Sequence, residues 1–420
     1  MVEQKDSGNI EISPTTPEWF TQNVLEEVLQ KKYSDKGLKI VKLKVSDFGK
    51  GDNYASMMKR VYVEYIHRGE NNSGDFLLKS CYENDEFLNN ILSQYNVYNL
   101  EMRMYDEILP KMTQLLRESK DIEQHSLFPE TIAVFHDKGS ILFEDLTKTN
   151  FVMEDRLKGL NLQKAKLILT RLAKMHATSA VLNEREPNIF KGCDRGIFNR
   201  HTRAFSPYFE TVVKICGEMV SKWEGYEHIG EKILKIAPHF MEYTERVYDP
   251  EPNQLNVLTH GDLWTNNTLF KYVNGETEPS DSILIDFQFC SWGSPASDLS
   301  YFFNTSLQRD LLLRTDELIQ HYYYDLSDTL RKLGFLGKIP SLTEFRSQLM
   351  LKSFSNFTIS ITSQPVMLNP DTEDADFHAV LKVDERGMKF KRLLFSNPVL
   401  QENLKIMLPV YDRMGLFELQ

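Results

Sequence analysis

The hydrophobic period of this chain changes partway along its length, and that change restricts the fold more than any other feature. In the first third, LKIVKLKVSDF (38–48) and SMMKRVYVEYIHR (56–68) alternate apolar with polar residues. A period of two places alternate side chains on opposite faces of a half-buried strand. A turn-rich GKGDNYA joins them, and DFLLKS (75–80) follows the Gly-containing turn at 71–74. Three such runs in succession predict an antiparallel sheet built from hairpins. TIAVFH (131–136) and SILFEDL (140–146) add two short strands around the turn at Asp137–Gly139. From Asn161 onward the period becomes helical, first in LQKAKLILTRLAKMHATSAVL, then over 205–247 and from Ser297 to the end. One insert at 255–290 reads as loops with short β segments. A β-rich start followed by a helical remainder is an α+β arrangement, with its boundary near residue 147.

Two helices are expected inside the β-rich part. PEWFTQNVLEEVLQKKY places Phe20, Val24, Leu25, Val28 and Leu29 on one helical face. Asp85–Leu109 also reads as helical and should stop at Pro110, because proline removes a donor and clashes with the preceding turn. Residues 1–15 are polar and expected to be loose.

At 420 residues the chain exceeds the roughly 250–300 at which a single core stops growing, so two lobes are expected. The net charge of −11 argues against a nucleic-acid partner, which would require a basic face. The acidic, polar start lacks the pattern of a signal peptide, and no apolar run of about 18 residues suits a membrane span. Cys81, Cys193, Cys216 and Cys290 are scattered without CxxC spacing, as expected of reduced thiols. Together these features predict a soluble cytoplasmic protein without a membrane partner.

The chemistry-bearing pattern is His260-Gly261-Asp262-Leu263-Trp264-Thr265-Asn266-Asn267, followed nineteen residues after Asn267 by Ile285-Asp286-Phe287. Phosphoryl transfer to a hydroxyl needs a carboxylate to orient and deprotonate the nucleophile, and oxygen ligands for magnesium beside the phosphate. An Asp and an Asn five positions apart in a loop can supply the base and one ligand. A second Asp at a strand end can bridge the metal to the phosphates. Asp and Asn are also ordinary loop residues, so either motif alone would carry little. The pair, at this spacing and after a β-rich lobe, carries much more.

HGDxxxxN followed by IDF resembles the protein-kinase-like fold of aminoglycoside and choline kinases. LTHGDLWTNNTLF with LIDFQFCSWGSPASDLSYF, together with FEDL and RLAKMHATSA, resembles more closely the ecdysteroid kinase-like family of arthropods, over roughly Leu38–Leu416. The resemblance implies a two-lobed protein-kinase-like fold. Residues 1–147 would form an antiparallel, nucleotide-binding lobe with one main helix, and 148–420 a larger helical lobe with the catalytic loop and acceptor pocket. It implies an ATP- and magnesium-dependent kinase acting on a hydroxyl of a small molecule, a steroid or xenobiotic alcohol foremost. A choline- or ethanolamine-type kinase and a non-catalytic ligand-binding protein are the alternatives.

Carried over residue by residue, Asp262 is the base and Asn267 and Asp286 hold magnesium. Lys79 on the third strand pairs with the α- and β-phosphates. Its acidic partner is Glu101, with Glu86 and Glu107 as competitors. Gly49 and Gly51 suit a phosphate-covering turn, although a plain hairpin turn would read the same way. The backbone of Glu144 and Leu146 would meet the adenine edge. His260 reads as a scaffold of its loop, Asp298 as an anchor for the metal-binding strand or a helix cap, and His176 as a packed helical histidine. Trp264 is the aromatic residue best placed to meet the acceptor. The acidic run 371–376 reads as a solvated helix start. Asp286 is followed by Phe-Gln rather than Phe-Gly, and no activation-loop-like segment follows, which argues against protein substrates.

Overall fold

The computed structural model describes residues 10–47, 57–81, 86–119, 122, 126–273, 276–370 and 377–419. Its first part is a six-stranded sheet ordered β1-β2-β3-β4-β6-β5. The strands are β1 (Ile10–Ile12), β2 (Lys39–Asp47), β3 (Met57–His67), β4 (Glu70–Ser80), β5 (Thr131–Phe135) and β6 (Ser140–Glu144). All neighbours pair antiparallel except β1, which runs parallel to β2 at the edge. Residues 10–12, expected to be loose, therefore belong to the sheet. Its outer face follows from the alternation: Val61, Val63 and Tyr65 on β3 and Phe76 and Leu78 on β4 are buried. On β2 adjacent Ile40 and Val41 cannot both face inward. A bulge between Ile40 and Lys42 turns Val41 outward and keeps Ile40, Leu43 and Val45 in the core.

The helix Gln22–Lys32, capped by the Thr21 side chain, covers this face with Leu25 and Leu29. Burial of each leucine contributes about 1.5–3 kcal/mol. The opposite face carries Leu77, Lys79, Ile141 and Phe143, and its apolar members pack into the core of the rest of the molecule. Lys79 thus points inward by strand parity.

Beneath that face run helices Glu86–Tyr95, Val97–Arg103 and Leu109–Glu118. Pro110 does not end the helical path. Residues Met104–Ile108 form a π turn in which the Leu109 N–H donates to the Met104 carbonyl, and Pro110 lies in the first turn of the next helix. There its missing donor costs nothing.

The larger part is helical, as the change of period requires. The helix Leu162–Arg185, N-capped by Asn161, is buried along most of its middle and packs beside Thr315–Lys332. Small residues at Ala173, Ala177 and Ala180 suit such enclosure. Short strands frame the expected insert: β7 (Phe151–Val152), β8 (Val257–Thr259), β9 (Thr268–Lys271), β10 (Asp281–Leu284) and β11 (Ser291–Gly293). β9 pairs with β7 and β10, and β8 pairs with β11. The loop 260–267 therefore hangs between β8 and β9, and Asp286 follows the end of β10. The α+β architecture expected from the sequence is present, with an N-terminal antiparallel sheet and a larger helical C-terminal part. Among the described residues no helix is long and apolar enough to cross a membrane, and all four cysteines are free thiols.

Candidate active site

The loop 260–267 is fastened from below by one carboxylate. Asp298, fully buried in the first turn of the helix Ala296–Thr305, accepts the backbone N–H of His260 (2.7 Å) and of Gly261 (2.8 Å). It also pairs with Nε2 of His176 (2.9 Å), whose Nδ1 meets the Tyr322 hydroxyl (2.6 Å). Asp298 therefore anchors the loop 260–267 directly rather than the strand end that carries Asp286, and it does not cap its helix. Its partners are backbone donors remote in sequence, which no local motif reveals. Burial alone would raise its pKa, but the bonds from His176 and from the Gly261 N–H hold it below the usual carboxylate value.

His260 is buried, with Nε2 2.9 Å from the Ile285 carbonyl and Nδ1 3.3 Å from the Asp262 N–H. A carbonyl only accepts and an amide only donates, so the proton resides on Nε2 and the ring is neutral. Burial pushes its pKa down in the same direction. The ring thus links the loop to the strand end that carries Asp286, the scaffold role its sequence suggested. Gly261 is required here: its φ is +80°, and a Cβ would lie 2.1 Å from the Phe289 carbonyl oxygen.

Held this way, Asp262 points into a cavity. Tyr301, one turn after Asp298 on the same helix, donates its hydroxyl to Oδ1 (2.5 Å). Asn267 donates Nδ2 to Oδ2 (3.0 Å) and to the Asp262 carbonyl (2.8 Å). Burial raises the Asp262 pKa to about 7, opposed by the bond from Tyr301 and reinforced by the charge of Asp286. A carboxylate poised there can take a proton from an alcohol near neutral pH.

Asp286 stands across the same cavity in a left-handed backbone conformation, φ +70°. Its N–H donates to the Tyr105 hydroxyl (3.3 Å), and Gln288 donates Nε2 to Oδ2 (3.2 Å). Lys79 reaches down from β4 and donates to Asp286 Oδ1 and to Glu101 Oε1, both at 2.6 Å. Burial by itself would lower the Lys79 pKa, but the carboxylates of Asp286 and Glu101 outweigh it and keep the ammonium charged. Burial pushes Glu101 up, against the pull of Lys79. Glu107 is engaged elsewhere, with Arg103 (2.9 Å) and Lys111 (3.3 Å), which leaves Glu101 as the partner of Lys79. The side chain of Glu86, together with Gly49, Gly51 and the acidic run 371–376, lies outside the described residues.

Asp262, Asn267 and Asp286 line one cavity of about 200 Å³. Its remaining wall is largely apolar and aromatic, including Tyr95, Phe198, Tyr208, Trp264 and Phe289. Trp264 therefore faces the cavity, as its place in the loop suggested. Glu144 ends β6, and Leu146 begins the following turn, where it packs with Phe151, Leu269, Ile283 and Ile285. Tyr301 and Gln288 were not singled out from sequence. Tyr301 had one available signal, its i+3 spacing from Asp298, which puts both on one helix face.

The donor set suits magnesium. Asp286 and the Oδ1 of Asn267 offer hard oxygens without a thiolate or imidazole. Among the described residues no group of three His, Cys, Asp or Glu forms an all-protein metal cage. Magnesium bound through one or two protein oxygens, phosphates and water needs none.

A solved ethanolamine kinase from Plasmodium vivax is similar at 13% identity and a TM-score of 0.41, over 86% of this chain and 83% of that one. No curated protein matches. The model of the ecdysteroid kinase-like family matches residues 50–335, more than half of the chain. The chain belongs to the ecdysteroid kinase-like family.

Proposed function

We propose that this protein transfers the γ-phosphoryl group of ATP to a hydroxyl of a small, largely apolar alcohol such as a steroid or hydroxylated xenobiotic. The observation that carries this reading is the convergence of Asp262, Asn267 and Asp286 on one aromatic-walled cavity, with the Lys79–Glu101 pair joined to Asp286. Asp262 accepts the alcohol proton, while Tyr301 and Asn267 hold its two oxygens in place. Lys79 neutralises phosphate charge, and Glu101 keeps it extended across the cleft. Asn267 and Asp286 would hold magnesium, which when bound supplies further neutralisation of the phosphates. Residues 1–147 form the nucleotide lobe in this reading, with the Glu144–Leu146 backbone at the adenine edge and Gly49 and Gly51 over the phosphates. The remainder forms the acceptor lobe. Free cysteines accord with a cytoplasmic location.

Choline and ethanolamine are the competing acceptors, since an aromatic wall also suits a quaternary ammonium. The test is transfer of labelled phosphate from ATP to a panel of steroid alcohols, plant phenols and choline. Asp262→Asn should lower turnover by about 10²- to 10⁴-fold, the usual contribution of a general base, with nucleotide binding retained. Unchanged turnover in that variant would remove Asp262 from the role.

A further inference from the structure

The catalytic cavity has one cation on its wall, and a second behind it, for which the transfer reaction has no use. Arg156, in the segment before the helix Leu162–Arg185, lines the cavity. Its guanidinium is fixed by the carbonyls of Met367 and of Asn369 (2.9 Å), so it is held in place by neutral groups. Among the described residues no carboxylate pairs with it. Lys391 lies behind the wall on the helix Glu385–Phe395, with only 1% of its surface exposed. Its ammonium donates to the Lys382 carbonyl (2.6 Å) and sits 4.8 Å from the centre of the Tyr208 ring. Tyr208 in turn lines the cavity. Burial pushes the Lys391 pKa down to about 8, opposed only by the charge of Asp384.

A buried cation without a counter-ion is costly. A guanidinium on a residue that lines an apolar cavity, clamped by backbone carbonyls, is suited to a planar anion. Apolar surface, one catalytic carboxylate and this cationic wall are different demands, and one molecule can meet all three. We propose that the acceptor is an apolar alcohol that also carries an anionic group, a carboxylate or sulfate, which Arg156 binds while the hydroxyl lies at Asp262. Arg156 is then a specificity-determining residue, and Lys391 reinforces it through Tyr208. This assignment rests on the kinase reading of the cavity.

The experiment compares matched pairs on the full chain: a hydroxysteroid carboxylate against its methyl ester, and a hydroxyaryl carboxylate against its methyl ester, with choline as a cationic control. Calorimetric affinity and phosphate transfer are measured for each. The acids should bind about tenfold or more tighter than their esters, the range expected for a charge-assisted hydrogen bond, and choline should not bind. Arg156→Gln should erase the acid preference while ester binding persists. Arg156→Lys should retain part of it, and Lys391→Met should reduce it less. Thermal unfolding of each variant checks that the clamp on 367–369 still folds. Equal affinity of acid and ester, or an acid preference that survives in Arg156→Gln, overturns the proposal. Acid-selective binding lost in Arg156→Gln but without phosphate transfer would sustain the charge assignment and sink the kinase reading.

Discussion

Two aspartates lie on either side of the loop 260–267, and their surroundings are opposite. Asp298, below, is enclosed and accepts two backbone N–H groups and an imidazole, and it stays below the ordinary carboxylate pKa. Asp262, above, faces a cavity with one hydroxyl and one amide as donors, and burial raises it to about 7. The comparison separates scaffold from chemistry: full hydrogen bonding makes a carboxylate inert, and partial satisfaction leaves one ready to accept a proton.

Removing the lower aspartate should have the largest effect on stability. Asp298→Ala leaves the His260 and Gly261 N–H groups and His176 without their acceptor, and should cost about 3–5 kcal/mol. Denaturant unfolding measures it, and a loss below about 1 kcal/mol would break the contrast. A folded pKa lowered below the unfolded one contributes stability above about pH 4 that is lost as pH falls through the folded value. The Asp298→Ala deficit should therefore shrink in acid.

The upper aspartate should behave the other way. Its folded pKa is raised, so the folded protein holds a proton that the unfolded chain releases. That contribution is complete below about pH 4 and disappears as pH rises towards 7. Asp262→Asn should thus be more stable than the wild type above pH 7, by about 1–2 kcal/mol after allowance for solvent in the cavity. The advantage should fade on acidification, as thermal melts at pH 8 and pH 5 can test. A variant less stable than the wild type at pH 8 would contradict the ionisation assigned to Asp262.

The smallest effect sharpens the comparison most. Tyr301→Phe removes one of the two donors to Asp262, and that donor holds its pKa down. The acidic limb of the kcat/KM profile should move to higher pH, with an unchanged fold by circular dichroism. A profile that stays in place would mean that Tyr301 does not govern the proton affinity of Asp262.

The strands of the sheet were legible because period-two patterning is local, and Lys79 faces the cleft because it is out of phase with Phe76 and Leu78. Asp262, Asn267 and Asp286 were legible as a spaced motif, and the structure brings them to one cavity. What escaped was non-local. Pro110 seemed a stop, but a π turn shifted the backbone bonding just before it. Asp298 finds its donors 37 and 38 residues upstream, and Gln288 acquires its purpose only once Asp286 has turned into the left-handed region. The aromatic wall comes from several separate helices and loops, and no spacing connects them.

Phe287 occupies the position between Asp286 and Gln288 and is fully buried. Tyr105, Phe128 and His260 surround it, with ring centres 5.7, 5.2 and 4.8 Å away. Swinging the Asp286 carboxylate out of the cleft would have to extract that ring and strip Asp286 of Lys79, Gln288 and Tyr105 together. Glutamine stands where a hinge glycine would give slack, so the strand end is packed firmly into the geometry described. Any switch acting on this strand end would have to work against an aromatic cage rather than across a free hinge.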